Sequence, residues 1–351
     1  MRVLLILWVL FGFLNGAENP KEFVRAKVKF GHVKPINSVA IVPNTKYALS
    51  GDSDGVIKLW NITNGKLIRT VRGHVDSVNS ITVTSDGRYI VSGSSDKSLK
   101  LWSIKSGKLL RTFKGHNDSV NSVAITPDNR YILSGSSDKT LKLWDIKSGK
   151  LLHTFRGHSD GVNAVAITAN GKYVLSGSSD NSLKLWDIKR AKLIRTLRKN
   201  SEPVYSIAIT PDGKYTLVGV GGLLLKIDIN TGKLMHTFSQ ASVAVSSIAI
   251  TPDGKYVLSG GVEDSDHGVL ELWDLKSGKL IQTTSVPIET IDYMFADLIQ
   301  DIAITPDGKY ALTGGVQDAN IYTGVSDING TLELWSLKGT SNAIKLRVLT
   351  P

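Results

Sequence analysis

The amino-acid sequence predicts an all-β repeat protein built from seven copies of one four-stranded unit. The first observation is a fixed period, because Trp60, Trp102, Trp144 and Trp186 follow one another at intervals of 42 residues. The second is the pattern inside each copy, where short apolar segments alternate with turn residues, as β-strands require. A period of about 40 to 45 residues is typical of repeat architectures. The 351 residues are therefore expected to form one closed body.

The best-preserved unit, residues 115–156, shows how the four strands are predicted. Its first turn, residues 126–129, has the sequence Thr-Pro-Asp-Asn, in which proline presets φ and asparagine tolerates the positive φ that follows. The third segment alternates apolar and polar side chains and ends at a tryptophan, as a half-buried strand should. The predicted strands are Ser122–Ile125, Tyr131–Ser134, Leu141–Trp144 and Leu151–Phe155.

Each typical unit begins with Gly-His, has an aspartate in the turn before the third strand and closes that strand with Trp-Asp, Trp-Ser or Trp-Asn. In these motifs the chain resembles the WD-repeat β-propeller family over nearly its whole length. The resemblance implies a seven-bladed β-propeller of four-stranded antiparallel blades, here over residues 31–351. The tryptophan position of the seven units is occupied by Trp60, Trp102, Trp144, Trp186, Ile227, Trp273 and Trp335.

The resemblance also implies a structural hydrogen-bond network inside four blades. A buried indole N–H needs an acceptor, which a serine of the second strand such as Ser134 or Ser136 would supply. Histidine, aspartate and serine together could also suggest a hydrolytic triad, but a catalytic site is not expected in four copies, and we favour the structural role. The sets are His32, Asp54 and Trp60; His74, Asp96 and Trp102; His116, Asp138 and Trp144; and His158, Asp180 and Trp186.

The first 17 residues have the layout of a secretory signal peptide. Arg2 precedes an apolar run from Val3 to Leu14, which is too short to span a bilayer, and small residues follow it. A disordered or membrane-leaning N-terminal tail is the alternative. We predict a cleaved signal peptide over residues 1–17 and a secreted or periplasmic mature protein without a transmembrane span.

Two segments compete to complete the last blade. Residues 24–30 directly precede the first Gly-His, where every other unit has its fourth strand, and residues 344–349 at the C-terminus are also strand-like. We favour the N-terminal segment, within residues 18–30, as the closing strand.

Composition limits the possible functions. The chain has no cysteine, so disulfides and cysteine-based metal sites are excluded, and no motif suggests a cofactor. The net charge is +11, but residues 261–335, here called the acidic sector, contain 13 acidic and 3 basic residues. A basic body with one acidic sector favours partners of opposite charge at different places.

Units 5 to 7 depart from the repeat, and units 6 and 7 contain insertions. In the topology that the resemblance implies, these insertions concentrate the acidic sector on the face of the propeller that has the Gly-His loops, here called the Gly-His face. Three interpretations stay open: solvated acidic loops, a docking site for a basic protein or peptide, and a calcium site. The carboxylates concerned are Glu263, Asp264, Asp266, Asp292, Asp318 and Asp327. Alternating oxygen ligands before a glycine suggest calcium at Asp264, Asp266, Asp327 and Asn329, although each fragment lacks most of a full loop motif.

The same face has a second candidate surface at the mouth of the channel. Five residues after each Gly-His histidine, or at the matched position, lie the seven residues that we call the ring residues. They could bind a peptide or a sugar through hydrogen bonds, or could satisfy strand-end backbone groups. The ring residues are Asn37, Asn79, Asn121, Asn163, Tyr205, Ser246 and Gln300.

Lysines at the turns between strands 1 and 2 and between strands 3 and 4 should lie on the opposite face, here called the basic face. They could bind an anionic envelope polymer or a membrane surface, or could simply be solvated. The aromatic residues that stack nucleic-acid bases are not interleaved with these lysines, which argues against nucleic acid. The lysines are Lys105, Lys108, Lys147, Lys150, Lys172, Lys214, Lys255 and Lys309.

The sequence thus predicts a non-catalytic binding scaffold, a monomer or part of a complex, that binds a protein partner on the Gly-His face, especially at blades 5 to 7. The alternative is a ligand-binding or calcium-binding propeller, or an enzyme, with its site at the channel mouth near the acidic loops of blades 6 and 7. A structural role through the basic face is a third hypothesis. Fold class alone does not decide among them.

Overall fold

The computed structural model describes residues 24–26, 34–238, 244–262, 268–286, 298–317 and 329–337. Within these residues all regular structure is β, and the strands form seven antiparallel sheets of four strands each. The sheets are arranged in a ring as the blades of a β-propeller, which confirms the predicted fold class.

Blades 1 to 6 are simple meanders of consecutive strands. Blade 1 consists of β2 (Ile36–Ile41), β3 (Tyr47–Asp52), β4 (Val56–Asn61) and β5 (Leu67–Arg72). Blade 2 consists of β6 (Val78–Val83), β7 (Tyr89–Ser94), β8 (Ser98–Ser103) and β9 (Leu109–Lys114). Blade 3 consists of β10 (Val120–Ile125), β11 (Tyr131–Ser136), β12 (Leu141–Asp145) and β13 (Leu151–Phe155). Blade 4 consists of β14 (Val162–Ile167), β15 (Tyr173–Ser178), β16 (Ser182–Asp187) and β17 (Lys192–Lys199).

The diverged units form the remaining blades. Blade 5 consists of β18 (Val204–Ile209), β19 (Tyr215–Val220), β20 (Leu223–Asp228) and β21 (Leu234–Phe238). Blade 6 consists of β22 (Ala244–Ile250), β23 (Tyr256–Val262), β24 (Gly268–Asp274) and β25 (Leu280–Val286). Blade 7 consists of β26 (Leu298–Ile304), β27 (Tyr310–Gln317), β28 (Asn329–Ser336) and β1 (Val24–Ala26).

Blade 7 joins the two ends of the chain. Its outer strand is the N-terminal β1, which pairs antiparallel with β28, so that Val24 lies opposite Ser336 and Ala26 opposite Leu334. Breaking this blade would open the ring, because no other sheet contains strands from both ends of the chain. The described strand, Val24–Ala26, lies within the N-terminal segment that we favoured as the closing strand.

The core is divided into seven apolar clusters, one at each seam between neighbouring blades. At the seam between blades 2 and 3, for example, Phe113 packs with Val120 and Trp144. A glycine in each second strand lets the next blade approach closely: a Cβ on Gly135 would lie 2.7 Å from Cγ1 of Val162. A blade therefore buries its faces only against its neighbours, as the repeat requires.

First strands of neighbouring blades contact one another all the way round the ring and surround its axis. Each first strand contains a β-bulge, where one residue has no partner on the second strand; in blade 3 the pairing passes from Val120 to Ser122. A bulge bends a strand and redirects the extra side chain. The bulged residues of the seven blades are Asn37, Asn79, Asn121, Asn163, Tyr205, Ser246 and Gln300.

The residue after the bulge lies at the seam with the next blade. In blades 1, 2, 3 and 6 it is a serine whose Oγ accepts a hydrogen bond from a backbone N–H of the following blade, whereas among the described residues Ala164 of blade 4 and Ser206 of blade 5 form no such bond. The bonds, measured from N to Oγ, are Ile81 to Ser38 (3.0 Å), Val123 to Ser80 (3.1 Å), Val165 to Ser122 (3.2 Å) and Ile302 to Ser247 (3.1 Å). We call these contacts the seam hydrogen bonds.

At the seam between blades 7 and 1 the serine is replaced by Asp301. Its Oδ2 accepts the seam hydrogen bond from Val39 N at 2.8 Å and a second bond from Ser38 Oγ at 2.8 Å. Its Oδ1 accepts from Ser247 Oγ at 3.1 Å and from Ile302 N at 2.9 Å. One carboxyl group therefore links blade 7 to both of its neighbours.

Inside the blades, each of the six described tryptophans at the repeat position donates its indole N–H to a hydroxyl of the second strand. In blades 2 to 4 this serine also bonds the histidine, which in turn bonds the turn aspartate; His116, for instance, lies 2.8 Å from Ser134 Oγ and 2.7 Å from Asp138 Oδ2. The donor–acceptor pairs are Trp60–Ser50, Trp102–Ser92, Trp144–Ser134, Trp186–Ser176, Trp273–Ser259 and Trp335–Thr313.

The serine of each complete network is fully buried, at 0% exposure, so it cannot meet a substrate. Tryptophan only donates, and the ionised aspartate only accepts, so Nδ1 of the histidine carries the proton and Nε2 accepts from serine. In blade 1, Asp54 is exposed and donates its backbone N–H to Asp52. His32 lies outside the described residues, so the set of blade 1 stays a prediction.

The histidine networks predict a loss of stability at mildly acidic pH. Burial lowers the pKa of His74 and of His158 below their ordinary value of 6.5. On acidification the unfolded chain then binds protons that the folded chain does not, so stability is complete above about pH 6.5 and falls below it. The free energy of unfolding in urea should decrease between pH 7.5 and about 5.5. A double variant His74→Ala/His158→Ala should show a flatter dependence, and equal slopes would contradict the prediction.

A second prediction concerns the closing seam. Asp301→Ala leaves the buried N–H of Val39 without its acceptor and should lower the free energy of unfolding by about 1–3 kcal/mol. Asp301→Ser supplies the hydroxyl that other seams use and should preserve stability at pH 7. Because burial raises the pKa of Asp301, the folded wild type binds more protons than the unfolded chain does. The free energy of unfolding of the wild type, relative to that of Asp301→Ser, should therefore fall as the pH rises through that pKa. Urea unfolding at several pH values measures both effects, and an equal loss for alanine and serine would refute them.

Candidate functional site

The seven ring residues line one polar cavity of about 490 Å³ around the axis of the propeller. Residues from the first strands of all seven blades contribute to its wall. The bulges explain this placement, since each one turns the extra side chain of its strand towards the axis. Residues that lie about 40 positions apart in the sequence are thereby brought to a single site.

The four asparagines of the ring are used in part to hold the blades together. Each donates Nδ2–H to a backbone carbonyl of the next blade, and Asn79, Asn121 and Asn163 also donate to a serine hydroxyl of their own blade at 2.9–3.1 Å. The bonds across the seams are Asn37 to Val78 O (3.2 Å), Asn79 to Val120 O (3.1 Å), Asn121 to Val162 O (3.0 Å) and Asn163 to Val204 O (3.1 Å).

The ring residues of blades 5 to 7 differ in this respect. Ser246 keeps the bridging role, since its hydroxyl lies within hydrogen-bonding distance of the carbonyls of Gly260 in its own blade and Ile299 in the next and can donate its one proton to either. Tyr205 is 45% exposed, and Gln300 is half-buried. Neither side chain shows a hydrogen bond within the described part of the chain. These two side chains are therefore available to a ligand that enters the cavity.

Asp301 lies beside Gln300 in the same cavity and was not among the residues predicted from the sequence. Burial raises the pKa of its carboxyl group, although the bonds from Val39, Ser38, Ser247 and Ile302 oppose the rise. A position-by-position alignment of the units would have found it. The matched residues in blades 1 to 6 are Ser38, Ser80, Ser122, Ala164, Ser206 and Ser247, so an aspartate is the exception.

The acidic carboxylates predicted from the sequence cannot be placed. Glu263, Asp264, Asp266, Asp292, Asp318 and Asp327 lie outside the described residues. Of the calcium candidates only Asn329 is described, as the first residue of β28. Among the described residues no group of three or more His, Cys, Asp or Glu side chains could hold a metal ion. The acidic docking site and the calcium site both stay predictions.

The lysines of the basic face are all exposed and lie at the turns that join strands 1 and 2 and strands 3 and 4. Antiparallel order places these turns at the end of each blade opposite the Gly-His loops. On this face two arginines link neighbouring blades. Arg69 of blade 1 donates to the carbonyls of Lys105 and Ser106 in blade 2, and Arg111 of blade 2 donates to those of Lys147 and Ser148 in blade 3. Binding of an anionic polymer to this face stays a prediction.

Comparison with known proteins identifies the repeat. The family model of the WD domain, G-beta repeat, matches residues 25–61, 65–103, 107–145, 149–187 and 232–274, together more than half of the chain. Curated proteins named ribosome biogenesis protein BOP1 homolog, from Drosophila erecta and Drosophila melanogaster, are each 36% identical over 52 residues. That segment is 15% of this chain and 7% of each relative, little more than one repeat.

The described residues include no helix long and apolar enough to cross a membrane. The matched repeats, the seven antiparallel blades and the buried tryptophans, whose indole groups bond to hydroxyls of the second strands, all indicate the same family. The chain therefore belongs to the WD-repeat family of β-propellers, whose members are generally non-catalytic scaffolds that bind other proteins.

Proposed function

We infer that this protein is a non-catalytic scaffold that binds a protein or peptide partner on its Gly-His face, at the half of the channel mouth formed by blades 5 to 7. The observation that supports this best is the difference among the ring residues. The asparagines of blades 1 to 4 donate to the next blade, whereas Tyr205 is exposed at the same cavity.

The chemistry of the cavity wall suits recognition. Its described side chains are mainly amides, hydroxyls and small apolar groups, which bind through hydrogen bonds and contact. Tyrosine combines a large apolar surface with a hydroxyl group and is enriched where proteins meet. The acidic sector belongs to two of these blades, 6 and 7, so a partner with a basic surface would be attracted to this half of the mouth.

We place this activity outside the cytoplasm. The support is the sequence of residues 1–17, which has the positive start, the short apolar run and the small residues of a secretory signal peptide. The similarity to the ribosome biogenesis proteins covers little more than one repeat and is accounted for by the shared WD unit.

Site-specific cross-linking tests the proposed face. A photoreactive phenylalanine analogue at position 205 should give a discrete adduct with a partner in the cells that produce the protein. The same analogue in place of Lys172, on the basic face, is the matched control and should give none. Adding Gln300→Arg to the position-205 variant should abolish the adduct, because it places a bulky cation at the mouth and repels a basic partner.

The opposite pattern would refute the proposal. Adducts from position 172 alone would move binding to the basic face, and adducts that survive Gln300→Arg would show that the channel mouth is not used. The N-terminus of the protein recovered from these cells tests the location. A chain that retains residues 1–17 inside the cytoplasm would contradict it.

A further inference from the structure

The channel-mouth cavity contains one charged side chain. Its described lining combines asparagine, serine and glutamine with a few apolar residues and Tyr205, and the only ionisable carboxyl group in it is that of Asp301. A single charge within a neutral polar wall selects for ligands of opposite charge, because uncharged groups cannot balance it as a cation can.

The carboxyl group is held in a fixed position. Four donors from three blades bond its two oxygens at 2.8–3.1 Å, and the residue is only partly exposed, with the cavity beside it. A rigid group loses little freedom when a ligand arrives, so its interaction with that ligand is not weakened by reorganisation.

Two of these four donors can be displaced without opening the seams. The hydroxyls of Ser38 and Ser247 donate to Asp301, but their oxygens also accept from Ile81 N and Ile302 N. If each hydroxyl turns its proton away, the seam hydrogen bonds remain and one lone pair on each carboxylate oxygen becomes free. An N–H donor from the cavity can then occupy that position.

An organic cation fits this arrangement better than a metal ion. Calcium requires six to eight oxygen ligands, and the backbone donors Val39 N and Ile302 N keep half of the carboxylate occupied. An ammonium or guanidinium group needs only one or two carboxylate lone pairs and can give its other N–H groups to neutral oxygens of the wall. Tyr205 adds an aromatic surface to the same cavity, and aromatic faces attract such cations.

We propose that the channel mouth is a pocket for one lysine or arginine side chain of the protein partner, which enters along the axis and pairs with Asp301. The inference rests on the proposed function, because it names the group by which that partner is recognised. It also gives the closing seam a second role, since the residue that replaces serine there supplies both the seam hydrogen bond and the charge.

The test uses the full chain and three small probes: Nα-acetyl-arginine amide, Nα-acetyl-lysine amide and the uncharged Nα-acetyl-citrulline amide. Calorimetric titration should show binding of at least one cationic probe, and the citrulline probe should bind about tenfold more weakly or worse, as expected when a charge-assisted hydrogen bond is lost. The affinity for the cationic probe should rise with pH through the raised pKa of Asp301, because only the ionised carboxylate pairs with it. Tyr205 is the other titratable group in the described lining.

Asp301→Ser is the decisive variant, because serine occupies this position in five other blades and forms the seam hydrogen bond in four of them. It should weaken the cationic probe about tenfold or more, to the level of citrulline. Asp307→Asn is the matched control: it removes a carboxylate from a basic-face turn of the same blade, and Asn170 occupies the matched position in blade 4. Its affinity should equal that of the wild type.

Each outcome decides the proposal. Three results would overturn the cation pocket. The first is equal affinity for the arginine and citrulline probes, which would show recognition of a neutral polar ligand. The others are undiminished binding by a folded Asp301→Ser variant and no binding of either cationic probe. Cross-linking from position 205 would then still support the scaffold function. Conversely, cation binding that depends on Asp301, without any cross-linked partner, would leave the pocket standing and refute the proposed function.

Discussion

The hydrogen bond between the first strands of neighbouring blades is the contact on which the rest of this propeller depends. A four-stranded meander cannot bury both of its faces, so every blade relies on its neighbours, and the apolar cluster at each seam specifies proximity rather than register. The seam hydrogen bond adds register, because it joins one side-chain oxygen to one backbone N–H of the next blade. The last seam is the critical one, since blade 7 is completed by β1 and the ring holds only while that blade is joined to blade 1.

The same bulge that positions the seam residue also creates the candidate binding surface. It turns one residue per blade to the axis and leaves the next residue at the seam, so the surface and the contact between blades are coupled in geometry. In blades 2 to 4 the bulged asparagine serves the seam as well, through its amide. Where the ring residue is tyrosine or glutamine, the side chain forms no such bond among the described residues, and this occurs in blades that also lack a complete histidine network. Blade 5 replaces that network with Val218 and Ile227, both fully buried.

The repeat, together with its resemblance to the WD-repeat family, was sufficient to predict the sheet architecture, the number of blades and the seven residues of the ring, because these properties repeat along the chain. Properties of single blades were not predictable in this way. Asp301 stands where five other blades have serine, and three of its four hydrogen bonds come from other blades, at least 54 residues away in the sequence. Glu271 is another example: it is buried and accepts from Ser259, where blades 2 to 4 use a histidine on the corresponding serine. Both substitutions lie in strands that the repeat pattern treats as equivalent.

A charge at the closing seam is not needed for closure. Serine forms the seam bond at four other junctions, whereas Ala164 after blade 4 and Ser206 after blade 5 form none among the described residues, so the fold tolerates the absence of this bond at two junctions. A carboxylate here costs free energy, since burial disfavours its ionised form and raises its pKa. Natural proteins accept such costs mainly where a group has a function beyond stability. Asp301 lies next to Gln300 and shares with Tyr205 the cavity that the whole ring surrounds, and the cation pocket that we propose there would account for that cost: the charge would weaken the empty propeller and favour the one that has bound a cation.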